Sequence, residues 1–183
     1  MIIGISGKIG SGKTELARSL YDQFGYTPKI FAGKLKQVAS ILTGLPLAFM
    51  YNRDKKNMYL DTWGMTLGEL QQKLGTDAVR NGLHQDAWIN ALFADYKDSY
   101  TWSIGDVRFS NEADLITRMG GLLVRIEGSR TGPGSRDPQH SSEIALDYYQ
   151  FDYTFTNDGT LMQLAEHAQA IYALATARYI RDA

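Results

Sequence analysis

Residues 1–20 read MIIGISGKIGSGKTELARSL, and within them residues 7–14 read GKIGSGKT. Three glycines in eight residues leave little to bury. The preceding MIIGIS is short, apolar and β-branched, which predicts a buried strand. After Thr14, Leu16, Leu20 and Phe24 recur at four-residue spacing with Ala17 beside them, which predicts an amphipathic helix. Strand, glycine-rich loop and helix therefore follow one another without a break. Gly7-x-x-x-x-Gly12-Lys13-Thr14 fits the P-loop pattern in full. In such a loop the glycines let successive N–H groups converge on one anion, and the helix start adds its partial positive charge. Gly7, Lys8, Gly10, Ser11 and Gly12 are the expected cradle, with Lys13 on the outer phosphates and the Thr14 hydroxyl on Mg²⁺. The dinucleotide fingerprint G-x-G-x-x-G is absent, which argues against a Rossmann site.

The chain has 183 residues, a net charge of −1 and no cysteine. That length suits one domain with a full core. The near-zero charge gives no bulk bias toward nucleic acid polymers or membranes. Without cysteine there is no disulfide framework and no thiolate metal site. The apolar runs are too short to span a bilayer, and no signal peptide is read before the first strand, so a cytoplasmic location is expected.

Further along, PKIFA at 28–32 reads as a second strand and 34–43 as a helix, while 45–61 carries no clear signal. Thr66-Leu67-Gly68-Glu69 is a capping box that should start a helix running through LQQKLGTDAV. Asp86 is placed to cap AWINALFADYKD, in which Trp88, Leu92 and Tyr96 share a face. TWSIGD at 101–106 reads as a central strand, Ser110 as the cap of NEADLITRMGG, and LLVRIE at 122–127 as the next strand. SRTGPGSRDPQHSSE is a long loop. FDYTFT at 151–156 alternates as a strand, and Thr160-x-x-Gln163 caps a last helix with Leu161, Leu164, Ala168, Ile171 and Tyr172 on one face.

Strands alternating with helices imply a parallel sheet covered on both faces. The expected fold is a three-layer α/β P-loop fold like that of nucleoside monophosphate kinases, with about five parallel strands in a single domain over 1–183. A helical block at about 34–98 and a lid at about 128–145 should project over the carboxyl edge of the sheet, where ligands of open α/β sheets bind. Covers of this kind keep water from the transferring phosphoryl group.

Several stretches, in order and spanning about residues 1–165, resemble the deoxynucleoside monophosphate kinases of tailed bacteriophages. They are FAGKLK at 31–36, LQQKLGTDAVR at 70–80 followed by Trp88, GDVRFSNEADLI at 105–116, LLVRIEGSR, His140-Ser141-Ser142-Glu143 and TNDGTLMQL at 156–164. The chain departs from the family's pattern in carrying Thr14 after the P-loop lysine, where members often carry Asp. The resemblance implies ATP-dependent phosphoryl transfer to deoxynucleoside 5′-monophosphates, with small-molecule substrates and, for a phage protein, the host cytoplasm as its setting. It places Asp106 and Arg108 just past a central strand. There Asp106 would order Mg²⁺ waters or the acceptor, or merely cap a strand end. Arg108 would grip the acceptor phosphate, or merely pair with Glu112 on the surface.

Arg130 and Arg136 flank a glycine-hinged loop and are expected on a lid over ATP and the transferred phosphate. His140 and Glu143 match the family's H-x-S-E element, His140 as a lid cap or phosphate contact and Glu143 as an anchor for a lid arginine. Lys36, Asp77 and Arg80 would line the acceptor pocket. Trp88 and Trp63 would stack on a base or sit in the core. Asn157, after the last strand, would border the adenine through its backbone, or form a turn before the last helix. A phosphomevalonate or dephospho-coenzyme A type of kinase, and a nucleotide-dependent ATPase, are the alternatives. Pairing with a second copy, as a possible homodimer, stays open.

Overall fold

The computed structural model describes residues 1–128 and 145–182. In chain order the elements are β1 (Ile2–Gly7), α1 (Lys13–Phe24), β2 (Thr27–Lys29), α2 (Ala32–Thr43), α3 (Leu47–Tyr51), β3 (Tyr59–Leu60), β4 (Met65–Thr66) and α4 (Leu67–Gln72). A π-helical stretch (Lys73–Asn81) continues α4. There follow α5 (Ala87–Phe93), β5 (Trp102–Ile104), α6 (Ser110–Arg118), β6 (Leu122–Glu127), β7 (Tyr153–Thr156) and α7 (Leu161–Asp182). The chain divides into two compact units, Met1–Ile30 with Lys97–Ala183, and Phe31–Tyr96.

The first unit is built on the five-stranded sheet β2-β5-β1-β6-β7, parallel throughout. The strand feeding the phosphate loop is thus central and paired on both sides, which is why Ile2–Ser6 is buried along its length. On one face Ile3, Ile5, Val124 and Ile126 pack against Leu16 and Leu20 of α1 and Leu164, Ala168 and Ile171 of α7. Burial of each such side chain stabilises the fold by about 1.5–3 kcal/mol. Phe24 and Tyr172 extend this face with rings stacked at 4.1 Å. On the other face Gly4 leaves room for Ile116 of α6, whose Cδ1 would stand 2.7 Å from an added Cβ. Helices therefore cover both faces, as the alternation of elements predicts.

Two strands are shorter than their sequence suggests. β2 pairs only over Thr27–Lys29, because its sole neighbour β5 is itself three residues long. Phe31 leaves the strand direction and packs its ring 6.4 Å from Phe93 within the second unit, so α2 begins at Ala32 rather than at 34. In α7, Leu161 is exposed although its spacing matched the apolar face, while Leu164, Ala168 and Ile171 are buried as expected. The first turn of α7 overhangs the sheet, and Thr160 and Gln163 close it with reciprocal hydrogen bonds.

The second unit has its own core of Ala39, Met50, Leu67 and Leu70. The stretch without a clear signal folds as α3, a 3₁₀ turn over Asp54–Asn57 and the antiparallel hairpin β3–β4. Asp86 makes no side-chain cap on α5, which ends at Phe93 and leaves Tyr96 outside it. After α4 the helix widens to a π-helix. The indole N–H of buried Trp88 donates to the Gly75 carbonyl at 2.9 Å, and a side-chain donor entering the ladder is a recognised cause of such widening.

The capping box forms: Glu69 N–H donates to Thr66 Oγ1 at 3.2 Å, and Thr66 N–H donates to Glu69 Oε2 at 2.7 Å. These bonds from Thr66 hold the Glu69 carboxyl below its ordinary value. Its stabilising effect is therefore full above the unfolded carboxylate pKa and is lost as pH falls through the lowered folded value. Thr66→Ala is expected to cost about 1 kcal/mol at neutral pH. Urea denaturation at pH 7 and in acid should show that deficit shrinking in acid.

Candidate active site

The loop between β1 and α1 is shaped by backbone rather than by side chains. Gly10 and Gly12 hold φ of 82° and 102°, values that side-chain-bearing residues rarely adopt. Gly12 stands at the N-cap of α1, and no side chain caps that helix. Its first N–H groups therefore face the loop, where an anion can accept from them. Lys13 Nζ donates to the carbonyls of Gly7 at 2.5 Å and Lys8 at 2.7 Å, so the ammonium spans the loop. Ser11 is 1% exposed, and its Oγ has no hydrogen-bond partner. A rigid cradle, a centred cation and an orphaned hydroxyl fit a nucleotide phosphate chain. Thr14, exposed in the first turn of α1, presents the hydroxyl a P-loop uses for Mg²⁺.

Two contacts hold this loop from outside it. A Cβ on Gly7 would stand 2.6 Å from the Ile126 carbonyl oxygen, so the loop leaves β1 pressed against β6. Asn157, just beyond β7, donates from Nδ2 to the Ser11 carbonyl at 2.9 Å and fills the space beside Gly12. The side chain of Asn157 thus braces the phosphate loop, a role additional to the expected backbone contact with a base.

The segment after β5 supplies the opposite wall. Gly105 N–H donates to Lys29 O at 2.9 Å and Val107 N–H to Ile5 O at 3.2 Å, which lays Asp106 and Arg108 along the carboxyl ends of β2 and β1. Glu112, 2% exposed, accepts from the N–H groups of Arg108 at 2.8 Å and Phe109 at 3.1 Å through Oε2. Ser110 does not cap α6; the N-cap is Phe109, and Glu112 binds the chain back on itself instead. Glu112 is a buried anchor of the backbone.

Between these walls lies a cavity lined by Ser6, Gly7, Lys8, Val107, Arg108, Arg125 and Leu146. The structure thus brings Gly7 and Lys8 of the phosphate loop and Arg108 to one cavity. It adds Arg125, which the sequence reading passed over as part of the strand LLVRIE. A single cation flanked by the apolar Leu122, Leu123, Val124 and Ile126 was the available signal.

In the second unit Lys36 Nζ lies 3.9 Å from the centroid of the Tyr51 ring. Asp77 and Arg80 belong to the π-helical stretch, where Asp77 is exposed and Arg80 donates to Gln85 O at 3.4 Å. Trp88 is 7% exposed with its N–H bonded inside the unit, so it is a core residue and does not offer a ring for base stacking. Arg130, Arg136, His140 and Glu143, with all but the end residues of the expected lid, lie outside the described residues.

The deoxynucleotide monophosphate kinase family profile matches residues 47–168. A protein of Acanthamoeba polyphaga mimivirus, provisionally described as a deoxynucleotide monophosphate kinase, is 34% identical over 177 residues, spanning 88% of this chain and 90% of that protein. The deoxynucleotide monophosphate kinase of Enterobacteria phage T4 is 30% identical over 123 residues, 64% of this chain and 49% of the phage protein. Among solved structures, a gluconokinase from Sinorhizobium meliloti 1021 aligns with TM-score 0.52 at 14% identity, covering 99% of this chain and 97% of that one. Shikimate kinase from Aquifex aeolicus aligns with TM-score 0.53 at 12% identity, covering 96% and 99%. These two likenesses concern the fold alone.

Glu112→Ala removes the acceptor of two backbone N–H bonds at a buried position, and is expected to cost about 2 kcal/mol or more. Glu112→Gln, which keeps one carbonyl oxygen, should recover part of that loss. Urea denaturation of both variants checks the order.

Proposed function

The chain belongs to the deoxynucleotide monophosphate kinase family, and from that premise we propose that it transfers the terminal phosphoryl group of ATP to a deoxynucleoside 5′-monophosphate. The observation that carries this reading is the cavity bounded by the phosphate loop at Gly7 and Lys8 and by Arg108 from the segment after β5. One wall suits the donor's phosphates and the other suits an acceptor's phosphate.

Phosphoryl transfer asks for in-line alignment and positive charge, with little covalent help from the protein. The loop N–H groups and Lys13 hold the donor and meet charge that grows on its outer phosphates. Mg²⁺, held through the Thr14 hydroxyl and ATP itself, would supply further charge neutralisation. Arg108 offers a planar fork matched to the acceptor phosphate, and Asp106 beside it orients the acceptor or metal-bound water. Lys36, Asp77 and Arg80 are assigned to the acceptor pocket, with Arg80 on the acceptor phosphate, and Arg130, Arg136, His140 and Glu143 to the lid, on the motifs they share with the family. Asn157 keeps the donor side in shape by its bond to Ser11. The substrates are small molecules, and the proposed setting is cytoplasm.

ADP release measured with ATP and Mg²⁺, with and without each deoxynucleoside monophosphate, tests the reading. Release should depend on at least one acceptor. Acceptor-independent release would identify an ATPase, and dependence on phosphomevalonate alone would identify a different kinase.

Lys13→Ala should lower turnover about 10³-fold or more while the protein melts as the parent does, because the residue serves the loop and not the core. Arg108→Ala should raise KM for the monophosphate and leave ATP affinity nearly unchanged. Lysine should rescue it poorly, since an ammonium lacks the fork. Steady-state kinetics in both substrates, with titration of a non-hydrolysable ATP analogue, reads both outcomes.

A further inference from the structure

Arg125 sits in the middle of a central parallel strand whose other inner residues are apolar, and only 14% of its side chain is exposed. A buried charge in a sheet is costly, and a leucine there would serve packing better. Its neighbours explain how the charge is held. Nη1 donates to Ser6 Oγ at 3.2 Å, directly across the β1–β6 register, and Nη2 pairs with Asp147 Oδ1 at 3.2 Å. The ring of Phe151 backs the guanidinium at 5.7 Å. A guanidinium carries five N–H donors in a fixed fork. Toward the described residues Arg125 uses one on each terminal nitrogen, and it lines the same cavity as Arg108.

The sheet fixes which substrate this guanidinium meets. Side chains alternate across a strand, so Arg125 shares a face with Leu123, which packs toward Gly4 beside Ile116 of α6. The phosphate loop opens into α1, whose Leu16 and Leu20 pack on the opposite face with Val124 and Ile126. Arg125 and Arg108 thus approach the loop from the α6 side, away from the helix start that receives the donor. Arg125 and Arg108 both line this cavity, and a pair of arginines suits a dianionic phosphate monoester.

We propose that Arg125 binds the phosphate of the acceptor nucleotide together with Arg108, and that its bond to Ser6 across the strand pair aims its fork for that contact. The proposal rests on the kinase reading above. Arg125 is then an acceptor-binding residue on a strand, fixed before substrate arrives.

The test uses the full chain with the monophosphate that gives the fastest ADP release. Arg125→Gln should raise KM for that monophosphate about 10- to 100-fold, the worth of charged hydrogen bonds, and move KM for ATP by less than about threefold. Arg125→Lys keeps charge and bulk and should still raise KM for the monophosphate about tenfold, because it lacks the fork. That variant keeps the proposal testable even where Arg125→Gln folds poorly. Asp147→Asn removes the ion pair but leaves the guanidinium tied to Ser6, so KM for the monophosphate should stay within about threefold of the parent. Thermal melting with and without the monophosphate should show its stabilising shift reduced in both Arg125 variants and kept in Asp147→Asn. Parent-like KM values in both Arg125 variants would overturn the proposal, as would an Asp147→Asn variant that reproduces their loss. A parent protein that releases no ADP with any deoxynucleoside monophosphate instead defeats the kinase reading itself, a distinguishable result.

Discussion

Gly7 leaves β1 so close to β6 that a Cβ would lie 2.6 Å from both the Ile126 carbonyl oxygen and Ser11 Oγ. That lack of space reserves the position for glycine, where the loop leaves β1 pressed against β6 before running directly into α1 without a capping side chain. With no side chain capping α1, the N–H groups at its start can donate to an anion. The parallel sheet is what brings β6 alongside β1 over Ile3–Gly7, so the placement of the site depends on the strand order.

In the proposed reaction the sheet also separates donor from acceptor. Residues of β1 alternate between the α1 face, with Ile3 and Ile5, and the α6 face, with Gly4 and Ser6. Donor and acceptor groups can therefore converge on the end of one strand from opposite faces. An in-line displacement requires attacking and leaving oxygens on opposite sides of the phosphoryl group. Two faces of a sheet supply such opposition without any special device.

The phosphate loop was legible because a local pattern, strand then glycines then helix, carries its own geometry. The capping box at Thr66 and Glu69 was legible for the same reason. The roles of Arg125 and Asn157 were not, since each acts on a partner that the sequence does not mark. Arg125 works across a strand pair with Ser6, 119 residues away, and Asn157 reaches Ser11 over 146 residues. Spacing patterns report neighbours along the chain, while these contacts exist only once the strand order is known. Trp88 shows the converse. Its residue type suggested a base platform, yet a carbonyl at Gly75 satisfies its N–H within the helical unit. The end of β2 was misread because strand length follows the partner, and β5 offers only three residues.

The brace from Asn157 has a consequence for the order in which the protein comes into being. β1 and its loop are made before the residue that supports them, which follows the last strand of the sheet. Contacts of such long sequence separation form late, since the intervening chain must be ordered before its ends can meet. A nascent chain that has already made GKIGSGKT still lacks the group that holds Ser11 in place. The phosphate loop is thus completed by a segment made much later in the chain, and its final shape becomes a property of the finished sheet.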